Sequence, residues 1–140
     1  MPIHEPDISL YQYLREMERF VLEKAQRNHL MTFEFIKNDD QRTAVQNKNN
    51  AVKAAVKRLV TQYCVFLDGD RKVAVKFSDD ELNALLAVHN MRKRDHKESI
   101  ETLISFSAGS EAITAVEDLM ARDLKALQAF MVLVAEMKTL

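Results

Sequence analysis

The residues best able to do chemistry in this 140-residue chain are polar ones set into apolar stripes: His89, Lys93 and His96 near the middle of the third helical segment, and Asp123 in the fourth. Lys24, Asn28 and Lys48 stand in similar positions in the first two. Asp123 falls between Val116, Leu127 and Phe130 on its helical wheel. A carboxylate placed there requires a cationic partner, because an unpaired charge in a dry interior is very costly. Lys48, His89, His96 and Asp123 are therefore expected to form a buried polar layer that fixes helix register.

Metal and catalytic chemistry find little support. His89 and His96 are seven residues apart, about 10 Å along a helix axis, too far to share one ion. No Glu-x-x-His pair of the di-iron kind is present. Asp68, Gly69, Asp70 and Asp79 suggest a calcium loop only superficially: Val73 stands where the loop needs glycine and Asp79 where it needs glutamate. Cys64 alternates with apolar neighbours and reads as a packed thiol. There is no Gly-rich phosphate loop and no nucleophile elbow. No catalytic residue, metal or cofactor is assigned, and the chain is read as a non-enzyme.

Charge offers a second kind of site. Residues 41–97 hold twelve Lys/Arg and six Asp/Glu, although the whole chain carries a formal charge of only −1. Turned by 100° per residue, Arg42, Asn49, Asn50, Lys53 and Lys57 gather on one side of the second helix. Arg92, Lys93 and Arg94 make a second basic cluster, which continues to Lys97. These eight residues, Arg42 to Arg94, are the expected surface for a protein partner or for nucleic-acid phosphates.

Two prolines and two glycines are too few turn-formers for a β-rich fold. The expected fold is mainly α: one four-helix bundle-like domain over residues 1–140, with helices at about 7–37, 41–62, 79–107 and 111–138. Asp7 is the expected first N-cap, and Asn38-Asp39-Asp40 the turn into the second helix. Ser78-Asp-Asp-Glu81 spells a capping box, Gly109 marks a helix stop, and Ser110 is the expected N-cap of the fourth helix. Between the second and third helices a β-hairpin is expected over about 63–77, its apolar runs flanking Asp68-Gly69.

The fourth helix carries apolar residues over more than half its circumference, which predicts a face shared with another chain, in a homodimer or with another protein. No run approaches the roughly 20 apolar residues of a membrane span, and a lone cysteine fits a reducing compartment. The expectation is a small cytoplasmic adaptor, regulator or assembly subunit. A nucleic-acid-associated helical subunit is the alternative.

Overall fold

The computed structural model describes residues 8–35, 38–68 and 77–137, with side chains for 8–24, 38–66 and 77–136. They form four helices, α1 (Leu10–Phe35), α2 (Asp39–Asp68), α3 (Asp79–Ser105) and α4 (Ser110–Met137). No strand occurs among the described residues. The chain divides into two compact units, one of Leu14–Val88 and one of Met1–Tyr13 with His89–Leu140.

Each start has a local chemical cause. The Ser9 hydroxyl accepts from the Gln12 amide at 3.1 Å and caps α1; Asp7, the expected cap, lies outside the described residues. Asn38 caps α2 by accepting from the amides of Asp40 and Gln41 at 2.9 and 3.3 Å. Asp39 and Asp40 then sit in the first turn, where the helix dipole favours acids. At α3 both arms of the capping box close: the Glu81 amide donates to Ser78 Oγ at 3.2 Å, and the Ser78 amide donates to Glu81 Oε2 at 3.3 Å.

The expected hairpin over 63–77 is overturned by α2, which continues to Asp68. Tyr63, Val65 and Leu67 alternate like a strand, but Val56, Leu59, Tyr63 and Phe66 also continue the helical stripe at three- and four-residue steps. Adding residues to an existing helix gains a hydrogen bond per residue fixed, whereas a hairpin must be nucleated anew. Burial follows the helix: Tyr63 is 6% exposed and Val65 47%, where a strand would put both on one face. Tyr63 and Phe66 stack at 6.2 Å, one turn apart. The second expected strand lies outside the described residues, except Phe77, which is buried and not in a strand.

In the Leu14–Val88 unit the core is built by Leu14, Met17 and Val21 of α1, Val56 and Leu59 of α2, and Leu85 and Val88 of α3, all at most 5% exposed. Glu81 is also buried there, and Arg58 Nε reaches its Oε1 at 3.6 Å. In the other unit the buried apolar residues are Tyr13, Ala126, Leu127, Phe130 and Val134.

The α3–α4 turn departs from expectation in detail. Amides of Ser107 and Ala108 donate to the carbonyls of Ile104 and Leu103 at 3.0 and 2.9 Å, the paired bonds of a Schellman motif. The left-handed residue is Ser107, at φ 55°, and not Gly109. Ser110 is the first residue of α4, so Gly109 occupies the cap position. A left-handed residue with a Cβ costs about 1 kcal/mol. Ser107→Gly is therefore expected to stabilise the protein by roughly 0.5–1 kcal/mol in urea titration. A destabilised variant would show that the Ser107 side chain contributes more than its backbone strain costs.

Candidate functional site

The polar residues of α3 and α4 converge in the unit that contains Tyr13. His89 and Asp123 are buried, at 6% and 4% exposure. One helical turn beyond each other along α3, His89, Lys93 and His96 line a pocket of about 140 Å³, completed by Met120, Ala121, Asp123 and Leu124 of α4. Most of that lining is hydrocarbon, and Lys93 is exposed.

Asp123 has the cationic partners that its burial requires. Arg92 Nε stands 3.3 Å from Oδ2, and Arg122 Nη2 3.4 Å from Oδ1. Both arginine side chains are mostly covered, at 15% and 19% exposure. Each carboxylate oxygen thus faces a guanidinium, and the Arg92 contact makes Asp123 an anchor between α3 and α4.

His89 is held from α1. Its Nδ1 lies 2.8 Å from the Tyr13 hydroxyl, with the rings edge-on at 6.2 Å. The Tyr13 phenol is pushed far above its ordinary value of 10, chiefly by burial and further by the Asp123 charge, with Arg92 opposing. It stays neutral and can donate to Nδ1 or accept from it, according to the imidazole tautomer. Burial lowers the His89 pKa below 6.5; Asp123 works against that shift, and Lys93 and Arg92 add to it. His96 is lowered too, first by burial and then by Arg92. Its Nδ1 is buried with no hydrogen-bond partner among the described residues, so a proton there would be a donor with no acceptor.

These shifts fix the sign of a pH effect. The unfolded chain, with histidines near 6.5, binds protons before the folded one does, so stability is complete above about pH 6.5 and falls as pH drops below it. The slope for His89 cannot exceed about 1.4 kcal/mol per pH unit, and half-exposed His96 contributes less because solvent screens it. Between about pH 6.5 and 5 ordinary carboxylates are not yet titrating. His89→Phe should flatten the urea midpoint across that window, and an unchanged slope would locate the effect elsewhere.

The other expected positions are dispersed. Lys48 is exposed on α2, in the Leu14–Val88 unit, and does not join His89, His96 and Asp123. A long lysine stem can lie along apolar surface while its ammonium reaches water, which is why a stripe position does not bury it. Asn50, Lys53 and Lys57 are exposed, and Asn49 is half-buried. Arg42 lies 3.9 Å from Asp39. Of the second basic cluster, Arg92 turns to Asp123, Lys93 borders the pocket and Arg94 is exposed. Lys24 places its ammonium 5.9 Å from the Phe20 ring centroid, and the Asn28 side chain lies outside the described residues.

Tyr13 and Arg122 were not marked by the sequence. Tyr13 is 76 residues from His89, so no spacing rule links them. A signal existed all the same: Tyr13 lies on the Leu10, Leu14 and Met17 stripe and carries a hydroxyl that burial obliges to find a partner.

Among the described residues no three His, Cys, Asp or Glu side chains are grouped to hold a metal ion, and no helix is long and apolar enough to cross a membrane. No protein-family model matches the chain, and comparison with curated proteins and with solved structures likewise returns no match.

Proposed function

We propose that this chain is a small cytosolic, non-enzymatic interaction protein, an adaptor, regulator or assembly subunit, which acts through the half of the α3–α4 hairpin nearest its turn. One observation carries the reading. From Asn90 to Arg122 not one residue is buried, although the segment is rich in large apolar side chains. Ile104 is 60% exposed, Phe106 80% and Leu119 37%. Ile100, Leu103, Ile113 and Val116 are only half-covered.

Scattered apolar residues on a surface are ordinary, but a contiguous apolar patch on one helical pair marks a binding face. The polar cluster at the other end of the hairpin supports the reading as a brace. The Arg92–Asp123 pair ties α3 to α4, and Arg122 of α4 faces the other carboxylate oxygen.

The test is the double substitution Ile104→Glu with Phe106→Glu. Both side chains are exposed, so the thermal midpoint should stay close to that of the parent, a change within about ±0.5 kcal/mol. Association, measured by sedimentation and by pull-down, should fall at least tenfold. A double variant that associates as the parent does would overturn the proposal.

A further inference from the structure

We infer that the occupant of this face is a second copy of the chain, laid antiparallel so that the two hairpins form a four-helix interface about a two-fold axis. The inference rests on the binding face proposed above and identifies its partner.

Charge complementarity carries it. From Glu98 through the turn to Ala121 the chain has five acids (Glu98, Glu101, Glu111, Glu117 and Asp118) and no lysine or arginine. All five are exposed. The adjoining part of the same hairpin, residues 90–97 and 122–125, has six basic residues (Arg92, Lys93, Arg94, Lys97, Arg122 and Lys125) against Asp95 and Asp123. The hairpin is thus acidic towards its turn and basic away from it. A parallel copy would place acid against acid. A reversed copy places acid against base at both ends, and a two-fold axis repeats each contact. Nucleic acid or an anionic membrane would meet the five exposed acids of this turn-proximal half, so neither suits it.

The register can be written down. The Arg92–Asp123 pair fixes which residues of α3 and α4 share a level. A reversed copy centred near Lys97 then sets Glu101 at the level of Lys93, Asp118 at that of Lys97, and Glu111 at that of Lys125. The stretch from Asn90 to Phe106 is about 25 Å long at 1.5 Å per residue. Two helices about 10 Å wide make a face of roughly 500 Å² per copy, near the low end of specific interfaces. Dimerisation across so small a face is accordingly expected to depend on protein concentration.

The experiment is sedimentation equilibrium of the full chain over a concentration series at two salt levels. Raising salt from about 0.1 M to about 1 M cuts the screening length from about 10 Å to about 3 Å, and the dimer should weaken at least tenfold. Glu101→Lys with Glu111→Lys should be monomeric, as should Lys93→Glu with Lys125→Glu. Mixing the two should restore a dimer, and circular dichroism of each confirms that it is folded. A dimer strengthened by salt would mean like charges face each other and would overturn the antiparallel arrangement. A salt-independent dimer would overturn the charge register. A parent chain that stays monomeric yet captures another protein through Ile104 and Phe106 would overturn self-pairing alone. A monomer that also captures nothing would remove the binding face beneath it.

Discussion

Asp123→Asn should lower the unfolding free energy by about 3 kcal/mol, with the helical content of the folded state unchanged. The substitution keeps the shape of the side chain and removes its charge. Arg92 and Arg122, at 15% and 19% exposure, are then left mostly covered without the carboxylate they face. Removing one partner from a buried pair costs about 3–5 kcal/mol in general. The residual exposure of the two guanidiniums puts this case at the lower end, because water can reach part of each cation. Replacing the whole cluster separates the interaction from its parts. Asp123→Leu with Arg92→Met and Arg122→Met exchanges the three charges for hydrocarbon of similar size, and should lose much less than Asp123→Asn alone. A change within about ±0.5 kcal/mol for Asp123→Asn in urea titration would show that the carboxylate is not an anchor between α3 and α4.

The same pair shows where sequence and structure part. Asp123 and His89 stand on strong apolar stripes, so their side chains point inward whatever the neighbouring helices turn out to be. Lys48 has an equally apolar setting in sequence, yet its four-carbon stem lets the charge escape, and it is exposed. Partners are a different kind of information. Arg92 reads in sequence as one of a run of cations, and only the packing of α3 on α4 shows it facing Asp123. Tyr13 meets His89 because the first turn of α1 belongs to the same unit as α4 and α3 from His89 onward, a long-range fact that no local period contains.

Helix ends were legible to the degree that their chemistry is local. The Ser78–Glu81 capping box needs only four residues, and both its bonds form. The α3 stop was misplaced by two residues because glycine is the commonest left-handed residue. The Schellman bonds to Leu103 and Ile104 impose that conformation on Ser107 instead. Gly109 has no positive φ and nothing within 4 Å of where its Cβ would be. Its glycine is not required by the backbone, which is why the residue type misled.

Val65→Pro should destabilise the protein by about 3 kcal/mol or more. Val65 lies in the last turn of α2, where its amide belongs to the helical ladder and a proline ring would clash with the carbonyl of Thr61. Its side chain is 47% exposed, so little packing is lost by the change itself. Val65→Ala supplies the control: it shortens the same exposed side chain, favours helix, and should stay within about ±0.5 kcal/mol. The contrast between the two substitutions reads the backbone alone. On an outer strand of a hairpin, with its amide towards solvent, proline would be tolerated and alanine mildly unfavourable. In the helix the order reverses, and by a margin far larger than the error of a urea titration. The consequence reaches beyond the turn. Tyr63 is buried one helical turn from Leu59 and stacks on Phe66, so the stretch belongs to the core of the Leu14–Val88 unit. A ribbon here would have offered an open edge to a partner strand; a helix satisfies its own backbone and offers none. That leaves helical faces as the surfaces through which the described part of the chain can associate. Among them the turn-proximal half of α3 and α4 is where large apolar side chains remain uncovered over the longest stretch. Loss of roughly 3 kcal/mol in Val65→Pro, with the association of the folded fraction unchanged, would therefore support the helix at Val65 and keep the binding face separate from it.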